Sequence, residues 1–305
     1  HLQSSTFLHP PAINAAIAKG CTVPLVTTIH DTPRSWRLFY TIPSLRRVYR
    51  RSSILITHSF EVSRILSEFH SVDPDQIVMI PHGVDTSRFR PAADGEEAIR
   101  SYGLEGKRIV LYFGFLRPGK GIETLLKAWS RIEHACPNAA LVIAGGTPTA
   151  ARRHGLLLYD ETNYPLQLRR FAQALKLGES VRFTGYVPEG LVPGLLAASA
   201  VVVLPYVGTI SQSGPLHKAL SSGRPIIASR LAGFQNFIQD KTNGLLVPPG
   251  DEVALARGIQ RLLDDPPFAE ALGRSARELA ERSLAWSIVT ERTTELYAAA
   301  MAQGN

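Results

Sequence analysis

Cysteine is nearly absent from this chain of 305 residues: Cys21 and Cys136 are the only two, and neither sits in a CxxC pair or beside a histidine cluster. That scarcity excludes a disulfide framework and a structural zinc, and it reads as a reducing compartment. No apolar run approaches the ~20 residues that a helix needs to span a bilayer. No basic-then-apolar leader opens the chain, so the expected location is cytoplasmic, with at most a peripheral hold on the inner face of a membrane. Internal repeats and low-complexity segments are also missing. Acid is scarcer than base, 26 residues against 33, for a net charge of +7. An anionic partner follows, whether nucleic acid, phosphorylated ligand or acidic lipid. Nothing resembles a nucleic-acid recognition motif, which sets that partner aside.

The chain is 45% hydrophobic and long for one compact core, so two domains are expected. Short β-branched or apolar runs end in polar residues: Thr22 to Ile29 before His30-Asp31, Ser53 to Thr57 before His58-Ser59, and Ile77 to Ile80 before Pro81-His82-Gly83. Alternating with helical stretches, they predict a doubly wound α/β parallel sheet whose ligands lie at the strands' carboxyl ends. The polar, Pro- and Gly-containing stretch Arg90 to Glu96 marks the expected hinge. It separates a first domain over 1–89 from a second over 90–283, and residues 284–305 read as a terminal helix packing back toward the first. In the second region the strands are Arg108 to Phe113, Leu141 to Ala144, Val181 to Phe183, Val201 to Leu204, Ile226 to Ala228 and Leu245 to Val247. Apolar residues at helical spacing from Ile122 to Ile132 supply the first crossover. The first residues already read as the end of a strand, so upstream sequence is expected.

Two segments carry chemistry. In Leu204 to Ser229 a buried strand leads through Ser211-Gln212-Ser213-Gly214 into a helix with Pro215 in its first turn. The open N–H groups and positive dipole end there favour an anion such as a nucleotide diphosphate, although a plain βαβ crossover fits this segment equally well. The second segment, Gly114 to Gly121, couples a strand end to a helix start, with Arg117 and Lys120 in reach. Backbone N–H groups together with two cations suit a diphosphate, and the spacing is not that of a Walker loop. His30 at a strand end, Gly145 after the strand LVIA, and Tyr186-Val187 after another strand are weaker candidates. Arg34, Arg37, Arg46, Arg47, Arg50 and Arg51 crowd together with Trp36, Phe39, Tyr40 and Tyr49, which suits an anionic interface.

In order along the chain stand TIHD, THS, PHGVD, YFGFLRPGKGIETLLKA, LVIAGG, VRFTGYVP, LPY, SQSG, SGRPIIAS and NGLLVPPGD. This series resembles the family 4 retaining glycosyltransferases of the GT-B fold over nearly the whole chain. The resemblance implies two Rossmann-like domains, the first truncated at its start, and a metal-independent hexosyltransferase with no cofactor besides its nucleoside-diphosphate-sugar donor. It also implies a glycan or lipid-linked acceptor in polysaccharide or glycolipid synthesis, bound mainly by the first domain. Matched residue by residue, His30 would lie near the transferred sugar and Lys120 on the donor diphosphate. Gly114, Arg117, Gly145, Tyr186, Val187, Ser211, Ser213, Gly214, Leu216 and Lys218 would complete the donor site. The family's arginine falls at Phe115 and its two glutamates fall at Ile210 and Lys218, so the pattern is broken where the donor sugar and ribose would be held. A branch with SQSG shares that replacement. A non-catalytic nucleotide-sugar-binding partner of another transferase is the alternative.

Overall fold

The computed structural model describes residues 1–4, 16, 19, 20, 22–30, 42–147, 152, 153, 156, 157, 163–208, 210 and 212–303. They form two compact units, one of His1–Gly83 with Ser283–Asn305, the other of Val84–Arg282.

The first unit is built on four parallel strands, β1 (Leu2–Ser4), β2 (Val26–Ile29), β3 (Ile54–Thr57) and β4 (Ile77–Met79), adjacent in that order. Its central strands β2 and β3 are buried on both faces, with Leu55 in one apolar cluster and Ile54 and Ile56 in the other, as a period-two backbone dictates. The helices Ile42–Arg51 and Phe60–His70 contribute Leu45, Val48, Val62 and Leu66 to the first cluster. The terminal helix Trp286–Gln303 contributes Val289, Leu296, Tyr297 and Ala300 to the second. Strand β2 starts later than the apolar run suggests, because Thr22 and Val23 are exposed and pairing begins at Val26.

The second unit holds β5 (Arg108–Phe113), β6 (Ala139–Ala144), a short antiparallel hairpin of β7 (Arg152–Arg153) and β8 (Leu156–Leu157), then β9 (Val181–Gly185), β10 (Ser199–Leu204), β11 (Ile226–Ser229) and β12 (Leu245–Val247). Its parallel sheet runs β12-β11-β10-β5-β6-β9. The chain therefore winds outward from β5 to β9, then returns to the other side of β5 with β10. Val201 to Leu204 of β10 are fully buried, as an apolar run in a doubly covered strand requires. The reversal between β5 and β10 is a topological switch point, where loops diverge and leave a crevice.

The compact units divide at Gly83/Val84 and Arg282/Ser283, set against the expected 89/90 and 283/284, so the Arg90–Glu96 stretch lies inside the second unit. The polar composition misleads because the backbone of this segment is held by side chains distant in sequence. Arg277 donates to the carbonyls of Thr86 and Phe89 at 2.9 and 2.8 Å, Ser221 Oγ donates to Phe89 O at 2.6 Å, and Arg224 donates to Pro91 O at 2.9 Å.

Candidate active site

At the switch point the glycine-rich loop after β5 folds onto the loop after β10. Arg117-Pro118-Gly119-Lys120 closes as a turn, Lys120 N–H donating to Arg117 O at 3.3 Å with Gly119 at φ 84°. Proline second and a positive-φ glycine third define a type II turn. The Gly119 carbonyl, thrown outward, accepts the N–H groups of Val207 and Gly208 at 3.0 and 3.2 Å. Two glycines allow this closeness: a Cβ on Gly121 would overlap the Pro205 carbonyl, and one on Gly145 would overlap the Gly114 carbonyl.

Between the loops lies a cavity of about 320 Å³ lined by Arg117, Lys120, Tyr206, Gly208, Ile210 and Gln212. Lys120 Nζ stands 3.7 Å from the centroid of the Tyr206 ring. Burial, seconded by the Arg117 charge, brings the Lys120 pKa down to about 7. No carboxylate lines the cavity among the described residues. Two cations are thus gathered in a half-dry site without a counter-charge, which is what an anionic ligand would supply. The Tyr206 phenol, 2% exposed, is pushed up by burial, while the Ser213 hydroxyl and Arg117 work against that rise.

The helix Gly214–Ser221 opens beside Tyr206, with Ser213 as its N-cap. Ser213 Oγ accepts the Leu216 N–H at 3.2 Å, so the Leu216 N–H expected on the diphosphate already has a partner. Gly214, exposed at the first helical position, presents an N–H that has no partner within the helix. Ser211 lies outside the described residues.

Lys218, expected near the ribose or leaving phosphate, is absent from the cavity lining. Its Nζ rests 5.2 and 5.6 Å from the ring centroids of Phe89 and Phe113. Burial lowers its pKa, with Glu189 opposing and Arg88 reinforcing the drop. Beyond the cavity, the Gly146 carbonyl accepts the Leu116 N–H at 3.0 Å, and the neighbouring Tyr186 is 74% exposed whereas Val187 is buried. Phe115, where the family's arginine would fall, is exposed and its carbonyl accepts the Tyr112 hydroxyl at 2.9 Å. Arg117 is therefore the arginine that faces the cavity.

His30 belongs to the first unit. Its ring lies 5.0 Å from that of His58, which lies 5.8 Å from His82. Sequence reasoning gave no site role to Tyr206 or Gln212, and it named His58 and His82 at strand ends without pairing them. The signal for Tyr206 was its place right after a strand end, in LPY. Of the basic crowd, Arg46, Arg47, Arg50 and Arg51 are exposed, whereas Tyr49 is 1% exposed and packs edge-on against His70, so it joins the core rather than an interface. Arg34, Trp36, Arg37, Phe39 and Tyr40 lie outside the described residues. No helix among the described residues is long and apolar enough to cross a membrane.

Two compact units, each built on a Rossmann-type parallel sheet, one of them with a cationic cavity at its switch point, define the GT-B class of fold. The family comparisons match the two halves separately: residues 1–88 match "Glycosyltransferase Family 4" and residues 107–265 match "Glycosyl transferases group 1". The chain belongs to this glycosyltransferase family. It is 27% identical over 304 residues to the D-inositol 3-phosphate glycosyltransferase of Thermomonospora curvata, a match covering 94% of this chain and 63% of that one. It is 31% identical to the GDP-mannose-dependent alpha-(1-6)-phosphatidylinositol monomannoside mannosyltransferase of Mycolicibacterium smegmatis, covering 89% of this chain and 69% of that one. Among solved structures, Anabaena HepE in complex with UDP superposes with a TM-score of 0.81 at 20% identity, over 95% of this chain and 76% of that one, which shows a shared fold. The chain spans 60 to 66% of the length of the first five curated relatives.

Proposed function

We propose that this chain moves a sugar from a nucleoside diphosphate to a hydroxyl of a glycan or lipid-linked acceptor, with retention at the anomeric carbon. The observation that carries this reading is the unpaired cationic cavity of Arg117 and Lys120 at the switch point. In transfer, the bond between the anomeric carbon and the diphosphate oxygen breaks, and a bond to the acceptor oxygen forms on the same face. The acceptor's proton passes to the departing phosphate, which makes an enzyme carboxylate unnecessary as base. Charge developing on that phosphate would meet Lys120, Arg117 and the Gly214 N–H, and such prearranged stabilisation supplies most of the barrier lowering. The nucleobase would lie against the backbone at Gly145 and Tyr186. HepE, solved in complex with UDP, supports a nucleotide ligand on this fold, and the mannosyltransferase relative supports a lipid-linked acceptor. The exposed arginines of the Ile42–Arg51 helix, with exposed Phe60 and Phe69 on the next helix, support peripheral docking on an anionic membrane surface. A panel of nucleoside diphosphate sugars with radiolabelled transfer as readout tests the reading. Turnover that Lys120→Ala reduces by about two to three orders of magnitude would sustain it. Wild-type turnover in that variant would refute the Lys120 role. Ile210 and Lys218, in place of two carboxylates, favour the second reading of a binding partner without turnover, which donor hydrolysis or transfer by the chain alone would eliminate.

A further inference from the structure

The Gly119 carbonyl accepts from Val207 and Gly208, so the turn that carries Lys120 is pinned to the residues right after Tyr206. That latch fixes the Lys120 backbone but not its side chain, a flexible four-carbon stem that loses rotamer freedom when held in one arrangement. Among the described residues the ammonium makes no hydrogen bond or ion pair that would hold it. What it meets is an aromatic ring: Nζ stands 3.7 Å from the Tyr206 centroid. That is well inside the ~6 Å over which a ring attracts a cation, and closer than the 5.2 and 5.6 Å between Lys218 Nζ and the Phe89 and Phe113 centroids. The Tyr206 ring is itself fixed. It is 2% exposed, and it packs against the buried Phe234 ring with centroids 5.1 Å apart. Its hydroxyl is lodged where a Cβ on Gly114 would come within 3.8 Å of it. A rigid wall of the cavity thus stands against a mobile cation.

Burial and the Arg117 charge both act against the ammonium. The negative face of an aromatic ring acts the other way and favours the charged form, most strongly where water is excluded. Among the described residues Arg117 is the charged group that shifts Lys120, and Glu123, three residues along, accepts the Tyr164 hydroxyl at 2.7 Å. With no carboxylate in the described lining, the ring face stands where a counter-ion would otherwise be. We propose that Tyr206 is a positioning residue for Lys120, its ring face holding the ammonium charged and within the cavity before an anionic ligand arrives. The proposal rests on the transferase reading only in taking that ligand to be the donor diphosphate.

Competitive acetylation of the ligand-free full chain with acetic anhydride, read by mass spectrometry as a function of pH, titrates the Lys120 amine directly. In Tyr206→Leu its midpoint should fall by about 0.4–1.5 pH units, the equivalent of one cation–π contact, and in Tyr206→Phe, which keeps the face, it should return close to the wild-type value. UDP affinity at neutral pH should fall about two- to thirtyfold in Tyr206→Leu and recover in Tyr206→Phe. In a Lys120→Arg background, whose charge does not titrate, Tyr206→Leu should leave the pH dependence of UDP affinity flat. A Lys120 midpoint in Tyr206→Leu equal to or above that of the wild type overturns the proposal. Proton NMR of the wild type decides the case even if Tyr206→Leu fails to fold: the Lys120 ε-methylene resonance should be moved upfield by the ring current, and an unshifted resonance overturns the proposal. Failure of UDP to bind the wild type, with the acetylation result as expected, would instead strike the transferase reading, so the two failures are distinguishable.

Discussion

At the scale of the residue, Lys120 joins the sequence to the chemistry most directly. Its ammonium is already disfavoured in the empty cavity, with a pKa near 7 against 10.5 for an ordinary lysine. A bound diphosphate favours the charged form, so binding should take up a fraction of a proton at pH 7. Affinity should weaken as pH rises above 7. Calorimetry of UDP binding in buffers of different ionisation enthalpy would measure that uptake. Lys120→Arg, charged at any accessible pH, should flatten the pH dependence. The same depression means that below pH 10.5 the unfolded chain holds this proton more tightly than the folded one, so Lys120 opposes folding there. Lys120→Met should therefore raise the melting temperature of the ligand-free protein by a few degrees while abolishing UDP binding. His58 behaves alike at lower pH. Its folded pKa near 4 lies below the unfolded 6.5, so it destabilises the fold progressively as pH falls from 6.5 to 4. Acid unfolding of His58→Gln should be shifted to lower pH than that of the wild type, as circular dichroism would report.

At the scale of the element, the sequence was most readable where burial is complete. Strands β5 and β12 begin and end where their apolar runs do, and Pro266 and Pro267 sit in the first turn of the helix Pro266–Leu279, where a missing N–H is tolerated. Readability failed where a residue's surroundings come from far along the chain. Tyr49 looked like half of an aromatic and basic surface because its core partner His70 lies on another helix. Lys218 looked like a phosphate ligand because nothing in its own helix announces Phe89 and Phe113. The Gly121 position was legible as a glycine in a loop, but its reason, the Pro205 carbonyl, was not. Gly121→Ala should push the two loops apart and weaken UDP binding at least tenfold with the fold retained, which calorimetry and circular dichroism together would show. Ser213→Ala, by removing a helix cap, should cost about 0.5–2 kcal/mol of stability in urea unfolding.

At the scale of the whole molecule, both sheets repeat one plan: parallel strands, the central ones buried on both faces, with polar residues gathered at the carboxyl ends. The plan was legible from the alternation of apolar runs and polar ends, whereas the entry into the second unit lies at Val84, before the stretch whose composition suggests a hinge. The segment that looks like a linker is fixed by Ser221, Arg224 and Arg277. A nucleotide confined to the second unit should stabilise by about 2.7 kcal/mol at a hundredfold excess over its Kd, and hydrogen exchange should locate that protection within Val84–Arg282. Vesicle sedimentation checks the basic helix. The full chain should pellet with anionic liposomes at low salt, and replacing Arg46, Arg47, Arg50 and Arg51 with glutamine should leave it in the supernatant.

Arg277 also sets a rule for dissecting the protein. Its guanidinium gathers carbonyl oxygens from residues just inside the start of the second unit, Thr86 and Phe89, and from Ser221 at the far end of the helix Gly214–Ser221, while its own helix leads to the unit's exit. The first and last stretches of this half are thus tied to each other and to the helix Gly214–Ser221 by one side chain. A fragment cut at Asp265, where the family match ends, would leave those oxygens without their common donor, so excision of a working nucleotide-binding half should succeed only when the cut falls beyond Arg277.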